Sequence, residues 1–170
     1  DADHLDCYEN LDSIKDAFVE YANKVPFFGS VICCLDDPGV QSILPRINKK
    51  ILTYGLSRQA DIQALDIKME GYSCSYSLSY KGYNLGTIKM NVTGKHNILN
   101  SLQAAGIGLE LDIPFADIAA GLANYSGVYR RFELKGTVNE ITVYDDYAHH
   151  PTEIQATLEA FKDSSSRRIV

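Results

Sequence analysis

The chain has 170 residues, 45% hydrophobic and 22% charged, with a formal net charge of −6 at pH 7. That balance is ordinary for a folded globular protein, so disorder is a poor reading, and no apolar run is long enough to span a bilayer. A net negative chain lacks the clustered Lys and Arg that neutralise backbone phosphates, which excludes a general nucleic-acid surface. Cys7, Cys33, Cys34 and Cys74 form neither a CxxC pair nor a zinc-like framework, and reduced, mostly buried thiols in a cytoplasm are the better account.

At the amino end, Asp1-Ala2-Asp3-His4-Leu5-Asp6 groups carboxylates with an imidazole ahead of a helix beginning near Asn10. Hard oxygen donors plus one nitrogen suit Mg²⁺ or Mn²⁺ better than a structural zinc, although acids before a helix also simply complement its dipole. Leu11, Ile14, Phe18, Tyr21 and Val25 recur at helical spacing and predict an amphipathic helix that Pro26 ends. Strand-like runs follow at 30–35 and 50–54, with a short helix between Pro38 and Leu44, and this alternation predicts an α/β fold. From Ala60 to Val92 the pattern becomes extended, with a hairpin across Lys81-Gly82 and Tyr/Ser alternation that suits antiparallel pairing.

Gly94-Lys95-His96-Asn97-Ile98-Leu99-Asn100 then places two carboxamides three residues apart at a helix start, where they share one face. Ile98, Leu102, Ala105 and Leu109 form the buried stripe of the same helix. A carboxamide offers both donor and acceptor, as reading the edge of a base such as adenine requires, while polar residues at a helix start also satisfy free backbone amides. Leu109, Ile113, Phe115, Ile118 and Leu122 extend the helical region to about Tyr125. Strand-like residues at 131–136 and 141–146 put a domain boundary near Ser126-Gly127, dividing the chain into 1–126 and 127–170.

In Arg130-Arg131-Phe132-Glu133 adjacent arginines project in different directions, so only one faces a given ligand, and Arg131 is the candidate for offsetting charge on a phosphoryl group. An isolated arginine pair is more often a plain surface feature. Asp145-Asp146-Tyr147-Ala148-His149-His150-Pro151-Thr152-Glu153 sets acids and imidazoles at a strand-to-helix junction, where open α/β folds bind ligands. Pro151 suits the first helical turn, and Ile154, Leu158 and Phe161 mark that helix's apolar side. Arg168-Ile169-Val170 reads as part of a further strand.

Taken together and in this order, Asp-Ala-Asp-His-Leu-Asp (1–6), Gly-Lys-His-Asn-Ile-Leu-Asn (94–100), Arg-Arg-Phe-Glu (130–133) and Asp-Asp-Tyr-Ala-His-His-Pro-Thr-Glu (145–153) resemble the Mur ligases, and the resemblance covers essentially the whole chain. It implies part of a P-loop-type central ATPase domain with an added antiparallel β segment, followed by the truncated start of a Rossmann-like carboxy-terminal domain. The implied activity is ATP-dependent amide ligation in peptidoglycan synthesis, within the branch that activates the carboxylate of UDP-N-acetylmuramate as an acyl phosphate for attack by L-alanine. By the same resemblance His4 is a Mg²⁺ ligand, and His96, Asn97 and Asn100 lie on the adenine side. Arg131 faces the phosphates, Asp146 holds the nucleotide, and Tyr147, His149 and His150 neighbour the nucleotide, substrate and amino acid. A sibling ligase adding a peptide or another amino acid, or a non-catalytic nucleotide-binding module, are the alternatives.

The family's phosphate loop, G-x-x-x-x-G-K-[ST], is nowhere in these residues, and Gly94-Lys95 is no substitute because His96 follows it. The sequence is therefore expected to be a fragment that does not ligate alone.

Overall fold

The structure, a computed structural model, describes residues 6–164 and 168–170. Helix α1 spans Leu11–Asn23, and Asn10 starts it by accepting the Ser13 backbone N–H at 3.0 Å on its side-chain oxygen. The face that α1 turns inward is not the one its large apolar residues predict. Val19 and Ala22 are buried, whereas Phe18 and Tyr21 are 60% and 75% exposed. Ala22 packs with Cys33 and Ile47, and a step of roughly 100° per residue carries the aromatic rings immediately before Val19 and Ala22 off that stripe.

Strands β1 (Ser30–Cys34) and β2 (Lys50–Gly55) pair in parallel, from Ser30 opposite Lys50 to Cys34 opposite Tyr54. Helix α2 (Pro38–Ile43) and a 3₁₀ turn at Leu44–Arg46 connect them. Asp37 caps α2 by accepting the Val40 N–H at 2.7 Å, and Pro38 fills a first-turn position whose missing N–H costs nothing. Strands β3 (Ile62–Glu70), β4 (Ser73–Tyr80) and β5 (Tyr83–Met90) extend the same sheet in the order β1-β2-β3-β4-β5. The α/β part and the extended part are thus one mixed sheet: Ile62 and Gln63 join β3 to β2 in parallel, while β3, β4 and β5 pair antiparallel. The predicted hairpin turns on Lys81 and Gly82, with φ of 49° and 84°.

Helix α3 (Lys95–Glu110) lies on this sheet through the predicted stripe, with Ile98, Leu102 and Ala105 wholly buried and Leu109 packed against them. Gly106 allows the close approach, since a Cβ there would fall 2.6 Å from Ile62 Cδ1. Helix α4 (Phe115–Ala123) then packs on β5 and α3.

Strands β6 (Glu133–Val138) and β7 (Ile141–Asp145) form a separate antiparallel pair across Asn139-Glu140, both left-handed at φ 48° and 67°. Helix α5 follows over Pro151–Ser164. Of the predicted apolar side only Phe161 turns inward. Ile154 and Leu158 are exposed, and the stripe turned inward is Glu153, Ala156, Thr157, Ala160 and Phe161, because α5 docks on α3 and β3. Phe161 joins a ring cluster with Phe132, Tyr144 and Tyr72, the last at the β3–β4 turn. Arg168–Val170 do not form the expected strand, since they pair with neither β6 nor β7 and a strand exists only through its ladder.

Candidate functional site

The start of α3, the segment linking α4 to β6, and the inner face of α5 enclose a cleft of about 930 Å³. That volume is within the range of small-molecule sites. Gly94 stands at the turn into α3, between the cleft residues Thr93 and His96. At φ 94° and ψ 142° it holds a conformation nearly reserved for glycine, and a Cβ would lie 2.7 Å from His96 Cε1 and 3.1 Å from Ala160 Cβ. The bare backbone lets the His96 ring fold over the helix start while α5 closes down upon it. Burial holds the His96 imidazole below its usual pKa; the Asp146 carboxylate pulls the other way and the Arg131 guanidinium deepens the depression. The ring is therefore a neutral hydrogen-bonding group at pH 7.

Asn97 and Asn100 both line the cleft, but they are not equivalent. Asn97 Nδ2 donates to the Thr93 carbonyl at 2.7 Å, so half of this carboxamide serves the turn into α3. Asn100, one turn on, is exposed in the cleft wall. Its amide carries both donor and acceptor groups.

Arg131 enters the cleft from a strained segment, for its neighbours Arg130 and Phe132 are left-handed at φ 57° and 50°. Acids hold that backbone. Glu133 Oε2 accepts the Arg130 N–H at 2.9 Å, and Asp146 Oδ2 accepts the Phe132 N–H at 3.0 Å. The Asp146 carboxylate also accepts the Ala148 N–H at 2.8 Å and the Thr157 hydroxyl at 3.1 Å. Both of its oxygens are thus bound to the protein, and Asp146 fastens the linker, the loop after β7 and α5 together.

Glu153, at the third position of α5, accepts the backbone N–H groups of His149 and His150 at 3.2 and 3.4 Å, the return half of a capping box. Its other oxygen is 3.3 Å from Arg131 Nη1. These contacts, led by the His149 N–H, hold the Glu153 carboxyl below the usual carboxylate range.

Tyr147, His149 and His150 are not among the cleft's lining residues. They form a neighbouring cluster in which the Arg130 guanidinium lies 4.9 Å from the Tyr147 ring centre, and the His149 ring is 5.0 Å from Tyr147 and 4.3 Å from His150. His149 Nδ1 is 2.9 Å from the Tyr147 carbonyl oxygen. The Glu153 carboxylate that caps the main chain of both histidines also lies 3.7 Å from His149 Nδ1. His4 lies outside the described residues, and among the described residues no three His, Cys, Asp or Glu side chains are grouped to hold a metal ion.

Glu153 closes the 145–153 motif but was given no role of its own, and Tyr72 and Thr157 are among the cleft residues that lie outside every motif. Glu153 had a local signal, an acid three places into a helix that opens on proline. Tyr72 and Thr157 had none, because their roles depend on contacts distant in sequence.

The cleft thus combines a carboxamide pair at a helix start, an arginine, and walls of Val128, Tyr125 and Tyr129, which is a set of polar groups, a cation and apolar surface. The chain belongs to the Mur ligase family: residues 1–108 match the Mur ligase middle domain and 130–170 the Mur ligase glutamate ligase domain. The chain is 51% identical over its full length to UDP-N-acetylmuramate--L-alanine ligase of Geotalea daltonii, and 50% identical to that of Geobacter sulfurreducens, in each case covering 37% of the relative. It therefore spans little more than a third of the length of the curated relatives it matches. Among solved structures it resembles MurF from Acinetobacter baumannii (TM-score 0.84, 21% identity, 97% of this chain and 36% of that one). It also resembles the UDP-N-acetylmuramate-alanine ligase of Thermotoga maritima (TM-score 0.78, 25% identity, 95% and 36%).

Proposed function

We propose that this chain is part of an ATP-dependent, ADP-forming ligase that joins L-alanine to UDP-N-acetylmuramate in the cytoplasm during peptidoglycan synthesis. Residues 1–126 belong to its central nucleotide-binding domain and 127–170 open its carboxy-terminal domain. One observation carries the reading: His96, Asn97, Asn100, Arg131 and Asp146, from three separate sequence motifs, line a single cleft in a chain half identical to ligases of that name.

Attack on phosphorus and then on an acyl phosphate depends mainly on placement and charge neutralisation, so no side-chain nucleophile is required. ATP supplies the phosphoryl group that activates the muramate carboxylate. The chain's own residues orient and neutralise. Asn100 and Asn97, with neutral His96 beside them, face the base. Arg131 faces the phosphates, and Asp146 fixes the segment that presents it. Tyr147, His149 and His150, at the turn into α5, face the muramate and alanine side, and His4 takes part in holding Mg²⁺.

The test is phosphate release by the full-length protein supplied with ATP, Mg²⁺ and UDP-N-acetylmuramate. Release that depends on L-alanine supports the assignment, and release that depends instead on a peptide or another amino acid replaces it with a sibling ligase. The chain of 170 residues by itself, without a G-x-x-x-x-G-K-[ST] loop, is expected to bind ATP weakly in calorimetry.

A further inference from the structure

We propose that Glu153 is a positioning residue for Arg131: one carboxylate oxygen caps α5 and the other aims the guanidinium, so that the start of α5 and the cation of the cleft form one mechanical unit. This rests on the reading of the cleft as a nucleotide site.

The argument begins with the arginine. Arg131 has a long side chain that is 48% exposed, and such a side chain samples many rotamers unless something restrains it. Its backbone is already fixed, through the hydrogen bonds that Glu133 and Asp146 accept from Arg130 and Phe132. Glu153 is the ion-pair partner of its head among the described residues. Neighbouring Arg130 is drawn elsewhere, 3.3 Å from Asp145 and over the Tyr147 ring. Two adjacent arginines are thus sorted by two acids, and only the one held by Glu153 lines the cleft.

An ion pair as exposed as this adds little to stability, so its consequence lies in where the guanidinium points. The contact uses Nη1 of a fork with five N–H donors, and the remaining donors suit a phosphate oxygen arriving in the cleft. Glu153 itself is anchored rather than floppy, because its second oxygen accepts the N–H groups of His149 and His150. Restraint therefore passes from the helix start, through a rigid carboxylate, to the arginine.

The test is a double-mutant cycle in the full-length ligase with Glu153→Gln and Arg131→Ala, reading kcat, KM for ATP and the thermal midpoint. Glutamine keeps an oxygen for the backbone N–H groups but loses the charge, so the fold is expected to hold while kcat falls roughly tenfold, with a smaller change in KM. In the Arg131→Ala background the same change is expected to add nothing further, since Glu153 acts through that side chain. Losses that multiply, or wild-type kcat in Glu153→Gln, overturn the proposal. Glu153→Asp is the second probe if the glutamine variant does not fold: it keeps charge and capping ability but is one methylene short of Arg131, and kcat at the wild-type level in it also overturns the proposal. Arg131→Ala with unchanged ATP binding and turnover instead removes the nucleotide reading of the cleft, and this inference with it.

Discussion

Asp146 and Phe132, fourteen positions apart, are joined by a 3.0 Å hydrogen bond from the Phe132 backbone N–H to Asp146 Oδ2, at a residue held left-handed at φ 50°. The bond explains how a non-glycine residue keeps that conformation: the carboxylate compensates locally for backbone strain. It also sets Phe132 into the ring cluster with Tyr144 and Phe161, at centroid distances of 5.1 and 4.2 Å.

Asp146→Ala leaves the Phe132 and Ala148 N–H groups and the Thr157 hydroxyl without their acceptor. Hydrogen bonds to a charged group contribute about 1.5–3 kcal/mol each, and water recovers part of that here, so a net loss of about 2–3 kcal/mol is expected. Chemical unfolding of the full-length protein followed by circular dichroism checks it. A loss below about 0.5 kcal/mol means that Asp146 does not hold the linker.

Asn100→Ala and Asn97→Ala are expected to separate binding from folding. Asn100 is exposed in the cleft wall, so its removal weakens ATP binding by calorimetry while leaving the unfolding midpoint in place. Asn97 gives a 2.7 Å hydrogen bond to the Thr93 carbonyl, and its loss costs about 1 kcal/mol of stability whatever it does to the nucleotide. Equal ATP affinity in wild type and Asn100→Ala rejects the base-reading role.

These residues also show how far the sequence could be read. The α3 stripe of Ile98, Leu102 and Ala105 was legible because a long helix on a sheet imposes a single period on its buried face. The Lys81-Gly82 turn was legible because two-residue hairpin turns need left-handed residues. The inward faces of α1 and, Phe161 apart, of α5 were not, because periodicity weights large apolar residues, whereas these helices dock through Ala22 and Ala160. Within the cleft, the motifs supply His96, Asn97, Asn100, Arg131 and Asp146, with Asp146 assigned only to a ligand. That it ties together three segments depends on backbone donors at 132 and 148, which no side-chain pattern reveals.

Gly94→Ala is expected to destabilise the protein by about 1–3 kcal/mol, the cost of a conformation reserved for glycine. The added Cβ would also stand 2.7 Å from His96 Cε1 and 3.1 Å from Ala160 Cβ, pushing the imidazole and α5 away from the start of α3. Both the unfolding midpoint and ATP affinity of the full-length protein should fall. A variant with the midpoint of the wild type shows that the helix start relaxes without consequence.

His96 gives the stability a pH dependence whose sign follows from its environment. Burial is the main cause that depresses the imidazole pKa in the folded protein, whereas in the unfolded chain it titrates near 6.5. Above that value both states hold the ring neutral and His96 contributes no slope. As pH falls through 6.5 toward the depressed folded value, the unfolded chain takes up the proton first, and stability declines. The carboxyls of Glu110, Glu133 and Glu153, all held below 4.5, bring their own losses only at more acid pH. Between about pH 7.5 and about pH 5.5 the decline should therefore be smaller in His96→Gln than in wild type, measured as the difference in urea midpoints. Parallel declines in the two proteins show that the ring is solvated and charges freely in the fold.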